Sequence, residues 1–310
     1  MPIIQYLQKE GVDFRLGTKV TDITTLLDGC RETVSAIHVL HDSSQQTITV
    51  YPDETVIVSL GSVTSGSSVG TNKSPPLLTT MLDEDKLDEN WSLWLNLRTE
   101  NPRFGDPYNF CTRVTESRLE TFTVTLKDAE FFNRFVKLTC DKPGMESLVF
   151  LKDSDWKISV CIPRQPFFSL QPDNIQIFWG YGLCPEREGN FVKKPMLVCF
   201  GEEIMSELLW HLGFPSKSIL KNSITVPCVI PRRTASLRPR AWRDHPNVIP
   251  EGMTYLAVIG HFMEIPDETN VSMEYSVRGA QLAVGKLMDL RKQPEHTRNR
   301  LDLSFLAAWR

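Results

Sequence analysis

The chain has 310 residues, 41% of them hydrophobic and 23% charged, which supplies apolar material for a sizeable core and excludes a disordered or fibrous protein. Lysine and arginine total 34 against 38 acids, a net charge of −4, and that balance excludes a dedicated nucleic-acid binder, which needs a basic footprint. Seven scattered cysteines (Cys30, Cys111, Cys140, Cys161, Cys184, Cys199, Cys228) form no C-x-x-C pair, so reduced thiols in a cytoplasmic compartment are expected rather than a disulfide framework or a zinc site.

Met1 to Tyr6 lacks the basic, then apolar, pattern of a secretory signal, and no apolar run approaches the roughly 18 residues of a membrane span. Residues 2–10 read as a helix capped at Gly11, either the last turns of one in a chain cut from something longer or a genuine short N-terminal helix. Residues 12–60 read as β-rich: Val12–Arg15, Val20–Ile23, Val34–Leu40 and Thr47–Tyr51 alternate apolar and polar. Glu54 to Ser62 is a short β-branched run ending in Gly61, the pattern of a parallel strand buried on both faces. Gly61 to Gly70 is rich in Gly and Ser and reads as a loop.

Leu87, Trp91, Trp94 and Leu95 fall at helical spacing amid acids from Asp83 to Glu89, which read as a solvated face. Phe122 to Leu126 reads as a strand. Asp128 is placed to cap a helix that buries Phe131, Phe132, Phe135 and Leu138. Lys157–Ile162 and Ile175–Trp179 read as strands, and Glu202–Leu212 as an amphipathic helix closed by Gly213 and Pro215. Thr254 to His261 repeats the apolar-strand-then-glycine pattern at Gly260. A helix follows from Asn270 or Ser272, with Val277, Ala280, Val284 and Leu287 on its buried face. Strand, glycine, loop and helix N-terminus place N–H groups and a positive dipole end beside an anionic or electron-rich ligand. Two such strand ends separated by a different segment predict an α/β fold with a discontinuous nucleotide-binding domain. Its strands ending at Gly61 and Gly260 should lie side by side.

The sequence contains no H-E-x-x-H, Walker A or EF-hand pattern, no clustered histidines, and no G-x-G-x-x-G after a strand, and its Thr64-Ser65-Gly66-Ser67-Ser68 stretch reads as a loop rather than a nucleophile elbow. Arg232, Arg233, Arg238, Arg240 and Arg243 form a basic cluster. It reads either as exposed arginines satisfying a loop or as a carboxylate or phosphate site bound in forked geometry. Trp179-Gly180-Tyr181-Gly182 reads equally as core or as the lining of an apolar channel, its glycines allowing close backbone approach.

Several long stretches resemble the oleate hydratase family of flavoproteins, also called myosin-cross-reactive antigens. They are Phe178-Trp179-Gly180-Tyr181-Gly182-Leu183, Gly189 to Met196, Gly201-Glu202-Glu203-Ile204, and Gly260 to Pro266 leading into Met273 to Arg278. Arg164-Gln165-Pro166, the block 227–240, and Gly61-Ser62 with its loop match in position. Three positions depart from the family pattern: His261 stands for a usual glutamine, Leu60 for an asparagine, and Arg232-Arg233 for a Tyr-Ile pair. The resemblance implies hydration of the cis double bond of oleate or a similar unsaturated fatty acid, a carbon–oxygen hydro-lyase reaction with bound FAD. It also implies a glutathione-reductase-like FAD-binding domain in two pieces, residues 1–80 and 250–290, around an inserted α+β substrate domain at 81–249, with a tail at 291–310. Flavin contacts would fall on Val20 (backbone, toward adenine), Gly61, Ser62, Gly260, Glu264 and Ser276. Trp179, Tyr181, Arg232 and Thr234 would meet the fatty acid.

The family's dinucleotide fingerprint and its proton-transfer residues belong to an N-terminal half that this chain does not match, so no catalytic residue is assigned and no metal is implied. The isolated chain is expected to hold FAD weakly and to be inactive. Two rival readings are a non-catalytic lipid- or partner-binding remnant and a generic flavin oxidoreductase. Leu301, Leu303, Phe305, Leu306 and Trp309 mixed with Arg298, Arg300 and Arg310 suit peripheral contact with an anionic membrane, or equally packing on the protein itself or on a homodimer partner.

Overall fold

A computed structural model describes residues 2–78, 87, 89–140, 142–145, 147–266 and 273–290. In chain order the elements are α1 (Pro2–Lys9), β1 (Thr18–Asp28), β2 (Arg31–His41), β3 (Ser44–Thr49), β4 (Val56–Ser59), β5 (Ser68–Val69), α2 (Glu89–Glu100), α3 (Tyr108–Cys111), α4 (Val114–Ser117), β6 (Leu119–Leu126) and α5 (Glu130–Thr139). They continue with β7 (Leu148–Phe150), β8 (Ile158–Cys161), β9 (Gln176–Gly182), α6 (Gly201–Leu212), α7 (Ser216–Lys221), β10 (Ser223–Ile230), β11 (Leu256–Ile259) and α8 (Met273–Leu287). The mixture is α/β, and the chain divides into two compact units. The first comprises Met1–Ser62, Leu87–Asn109 and Pro239–Arg310; the second comprises Val63–Lys86 and Phe110–Arg238. The acids from Asp83 to Asp88, the expected helix start at Asn270 or Ser272, and the 291–310 tail lie outside the described residues.

In the first unit, β1, β2 and β3 form an antiparallel meander. Both turns have two central residues. Gly29 leads the first with φ +60°, and Asp42 and Ser43 form the second with φ 46° and 65°, the left-handed backbone that matches strand twist in tight hairpins. Residues 12–15, expected as strand, are coil without a partner strand among the described residues.

The juxtaposition expected of the two glycine-ended strands is present. β4 and β11 pair in parallel, Val56 to Ser59 opposite Leu256 to Ile259. β11 is covered on both faces, but β4 buries Val58 while Ile57 remains 44% exposed, so the expected two-sided burial of β4 does not hold. On α2 the buried face is Trp91, Leu93, Trp94 and Leu97, with Leu95 at its margin. The two indoles stack at 5.8 Å, and Phe262 packs edge-on to Trp91.

The expected face of α8 is rotated. Val277 and Val284 are exposed, and Tyr275, Gly279, Ala283 and Gly285 are buried. Small residues win because the helix lies very close to the chain after β11: a Cβ on Gly279 would stand 2.2 Å from Met263 Cε. Tyr275 fixes that approach, its hydroxyl donating to the Met263 carbonyl at 2.8 Å.

The second unit is a six-stranded sheet in the order β5-β10-β6-β9-β8-β7, antiparallel throughout. β6 alternates cleanly, with Phe122, Val124 and Leu126 facing the core beneath α5 and α6. On α5, Phe131, Phe132 and Phe135 are buried, Phe131 stacking on Phe178 at 4.5 Å, but Leu138 is exposed, against expectation, one turn past the sheet's cover. Asp128 does serve the start of α5, accepting the Glu130 N–H at 2.9 Å. Gly213 ends α6 with φ 66°, as the sequence predicts. β10, which carries Pro227, was not expected as a strand. It tolerates proline because the β5 ladder ends at Cys228, and on that edge Pro227 only accepts, its carbonyl taking the Gly70 N–H at 2.9 Å.

Candidate functional site

The predicted flavin residues all lie in the first unit. Gly61, Ser62 and Gly260 follow the ends of the paired strands β4 and β11, so the topology brings them to one end of the sheet. Gly61 has φ +68°, and the space a side chain would need is filled by Phe262 and Trp94 at 2.8 and 3.1 Å. Gly260 has φ +121° and more open surroundings, the nearest atoms standing 3.4 and 3.5 Å from a built Cβ. Val20 is not in that group. It lines a cavity of about 580 Å³ with Gly17, Thr18, Lys19, Ile57, Val58, Ser59, Glu89, Asn90 and Leu93, on the flank of β4. Glu264 lines a different, polar cavity of about 270 Å³, together with Arg103, Trp242, Arg243 and His245. Ser276 is on α8, and its buried hydroxyl has no hydrogen-bond partner among the described residues.

Glu264 is held by its neighbours. Its carboxylate accepts from Arg240 at 3.1 Å and lies 3.5 Å from His245 Nδ1. Burial, and then the Arg240 charge, push the His245 imidazole down to about 3, so it is neutral beside that carboxylate.

The predicted substrate residues all lie in the second unit. Trp179 and Tyr181 stack at 6.3 Å on the sheet face opposite the aromatic core. The intervening glycine is required: a Cβ on Gly180 would meet Phe122 Cζ at 2.5 Å. Register places Thr123 and Cys161 beside Trp179, and Thr121 and Ser159 beside Tyr181. Trp179 is 37% exposed, so this face presents aromatic surface.

Arg232 and Thr234 are elsewhere and occupied. Arg232 is buried, with Nε donating to the Cys111 carbonyl at 2.9 Å. Thr234 donates through its N–H and its hydroxyl to the Ser117 carbonyl at 3.0 and 3.1 Å. Both therefore hold the backbone flanking α4. Nearby, Arg238 and Arg113 hydrogen-bond Glu116 and hold its carboxyl below the usual range.

Two buried acids escape a reading confined to family motifs. Glu207 on α6 accepts the N–H groups of Asn190, Phe191 and Val192 at 2.7, 3.0 and 2.7 Å, fixing the Gly189–Met196 stretch. Glu120 on β6 is also fully buried, and its signal was present in the sequence: it alternates in phase with Phe122 and Val124. No described helix is long and apolar enough to cross a membrane, and among the described residues no three metal-binding side chains gather.

Comparison with known proteins supplies the family. The MCRA family model matches residues 1–284. The oleate hydratase of Streptococcus pyogenes serotype M49 (strain NZ131) is 35% identical over 295 residues, covering 91% of this chain and 49% of that protein. The linoleate hydratase of Lactiplantibacillus plantarum is 29% identical, covering 91% of this chain and 53% of that protein. The chain thus spans about half the length of these relatives, and it belongs to the MCRA family.

Proposed function

We propose that this chain is part of an FAD-dependent fatty acid hydratase that adds water across the cis double bond of oleate or a related unsaturated acid. The observation that carries the reading is the family match, reinforced by the parallel β4–β11 pair with Gly61 and Gly260 at one end. Water addition moves no electrons overall, so bound flavin would supply a planar, polarising surface rather than redox chemistry.

The residues present fit part of that group. The cavity flanking β4 offers the apolar walls of Val20 and Val58 beside backbone polar groups, suited to a flat ring such as adenine. Gly260 leaves room for close approach, and the unpartnered Ser276 hydroxyl is available to a polar atom of the cofactor. The stacked Trp179–Tyr181 face would bind the acyl chain by excluding water from it. The pyrophosphate lacks an equivalent cradle, because no glycine-rich fingerprint follows a strand. The reaction also needs a general acid and a positioned water, and no residue here is assigned either role.

The test uses the 310-residue chain alone and mixed with the part of the streptococcal relative that the match leaves uncovered. Each sample is given FAD, desalted and incubated with oleate. Flavin retention and a product heavier by one water in the mixture, with neither in the chain alone, support the reading. Lipid binding without turnover in a flavin-loaded mixture would favour a non-catalytic remnant. Substrate-dependent bleaching of the flavin would favour an oxidoreductase.

A further inference from the structure

Glu120 is unlike every other buried acid described in this fold. Strand alternation turns it to the core side of β6, in phase with Phe122, Val124 and Leu126, and it has no exposed surface. Its register neighbours are Gly182 on β9 and Val229 on β10, neither of which has a hydrogen-bonding side chain. Both carboxyl oxygens are buried without a hydrogen-bond partner among the described residues. Glu207, equally buried, has three backbone donors and His211 at 3.2 Å. A buried polar group left unmatched needs an explanation, because desolvation of its charged form is uncompensated.

The charges around Glu120 do not supply one. On its own strand's approach, Arg118 attracts it, with a guanidinium drawn to Glu186 at 4.0 Å and an Nε that is buried without a partner among the described residues. Lys194 lies toward Cys199 but is bound to Glu203 at 2.6 Å. Glu203 and Glu207 add negative charge to the same region, where the Cys199 thiol sits, while Cys228 on β10 is the register partner of Thr121 and so lies on the opposite face of the sheet from Glu120. Burial therefore prevails over Arg118 and holds the Glu120 carboxyl well above the usual carboxylate range.

We propose that Glu120 is an uncharged acid buried where β6, β9 and β10 meet, so that rising pH charges it and opens that end of the sheet. Opening lets the carboxylate reach water and exposes the Gly182 and Val229 ends of the neighbouring strands. The direction follows from linkage. A carboxyl whose folded pKa is raised contributes stability that is complete below its unfolded value, about 4.3, and is lost as pH rises through the folded value. This pH response is independent of the hydratase reading.

The test is amide hydrogen exchange of the 310-residue chain between about pH 5.5 and pH 8, below ordinary thiol ionisation and corrected for intrinsic exchange. In the wild type, opening of residues 119–121, 181–182 and 228–230 should rise by up to about tenfold per pH unit, the slope for release of one proton. In Glu120→Gln the same amides should lose that slope while remaining protected. Arg118→Gln removes the cation that limits the effect, so its slope should persist to higher pH than in the wild type; this second variant serves if the first fails to fold. An identical slope in wild type and Glu120→Gln, or an Arg118→Gln profile that levels off sooner than the wild type, would overturn the proposal.

Discussion

The Cα of Gly201 lies against the carbonyl of Thr225 so closely that a built Cβ would stand 1.8 Å from that oxygen. Gly201 is the first residue of α6, and Thr225 is a buried residue of β10, so this contact sets how the helix meets the sheet. Gly201→Ala should force helix and strand apart and destabilise the second unit by about 1–3 kcal/mol, the usual range for overpacking. Urea unfolding followed by tryptophan fluorescence, compared with the wild type, measures it. An unchanged midpoint would mean the helix can slide without loss.

Glu207→Gln should loosen the 190–192 turn. The carboxylate accepts three backbone N–H groups there, and hydrogen bonds to a charged acceptor are each worth about 1.5–3 kcal/mol, of which the amide recovers part. Exchange of the Asn190, Phe191 and Val192 amides should quicken by at least about tenfold, with β7 and β8 unaffected. Equal protection in the two proteins would show that the turn is held by something other than this acid.

His245 gives the first unit an acid-sensitive signature. Its imidazole is pushed down to about 3 by burial and by Arg240, whereas in the unfolded chain it titrates near the ordinary 6.5. The unfolded state therefore binds more protons between those values, and stability present above the upper one is lost as pH falls toward the lower. Replacing His245 with Gln should flatten the acid limb of the first unit's stability profile, and NMR titration should find the wild-type ring neutral where exposed histidines are charged. A ring that titrates with the others would refute this.

Thiol reactivity should follow burial. Cys30 and Cys140 are exposed, while burial, with nearby Glu203, pushes the Cys199 thiol up to about 12. With a maleimide at about pH 8, Cys30 and Cys140 should be modified within minutes and Cys199 only on unfolding, because the thiolate is the reacting species. Mass mapping of the labelled peptides decides it, and early labelling of Cys199 would mean its segment opens readily.

The legible parts of the fold were those where local pattern and packing agree. The two apolar runs ending at Gly61 and Gly260 do pair, and α6 ends at Gly213 as its sequence dictates. Failures came where close approach outranked hydrophobicity. The apolar stripe Val277–Val284 was the natural buried face of α8, yet Gly279 faces inward because a side chain there would run into Met263. β10 was hidden by Pro227, whose permissive edge position depends on the length of β5, which no local pattern reveals. The site was less legible than the fold. Arg232 and Thr234 have the chemistry of ligand-binding residues, but their donors are directed to the Cys111 and Ser117 carbonyls, a choice made by chain geometry far from them in sequence.

The β4–β11 pair has a consequence for the order of folding. Joining these strands directly would close a loop of roughly 200 residues, and each doubling of loop length costs about 0.6 kcal/mol in chain entropy. The pairing of Ser68 with Val229 lies inside that loop, near both of its ends, and ties the incoming chain to the outgoing one. Once it has formed, the span left to close is roughly fivefold shorter and about 1.4 kcal/mol less costly. The route of least entropy therefore runs through the antiparallel sheet first, with the parallel pair assembling late on a chain already drawn together.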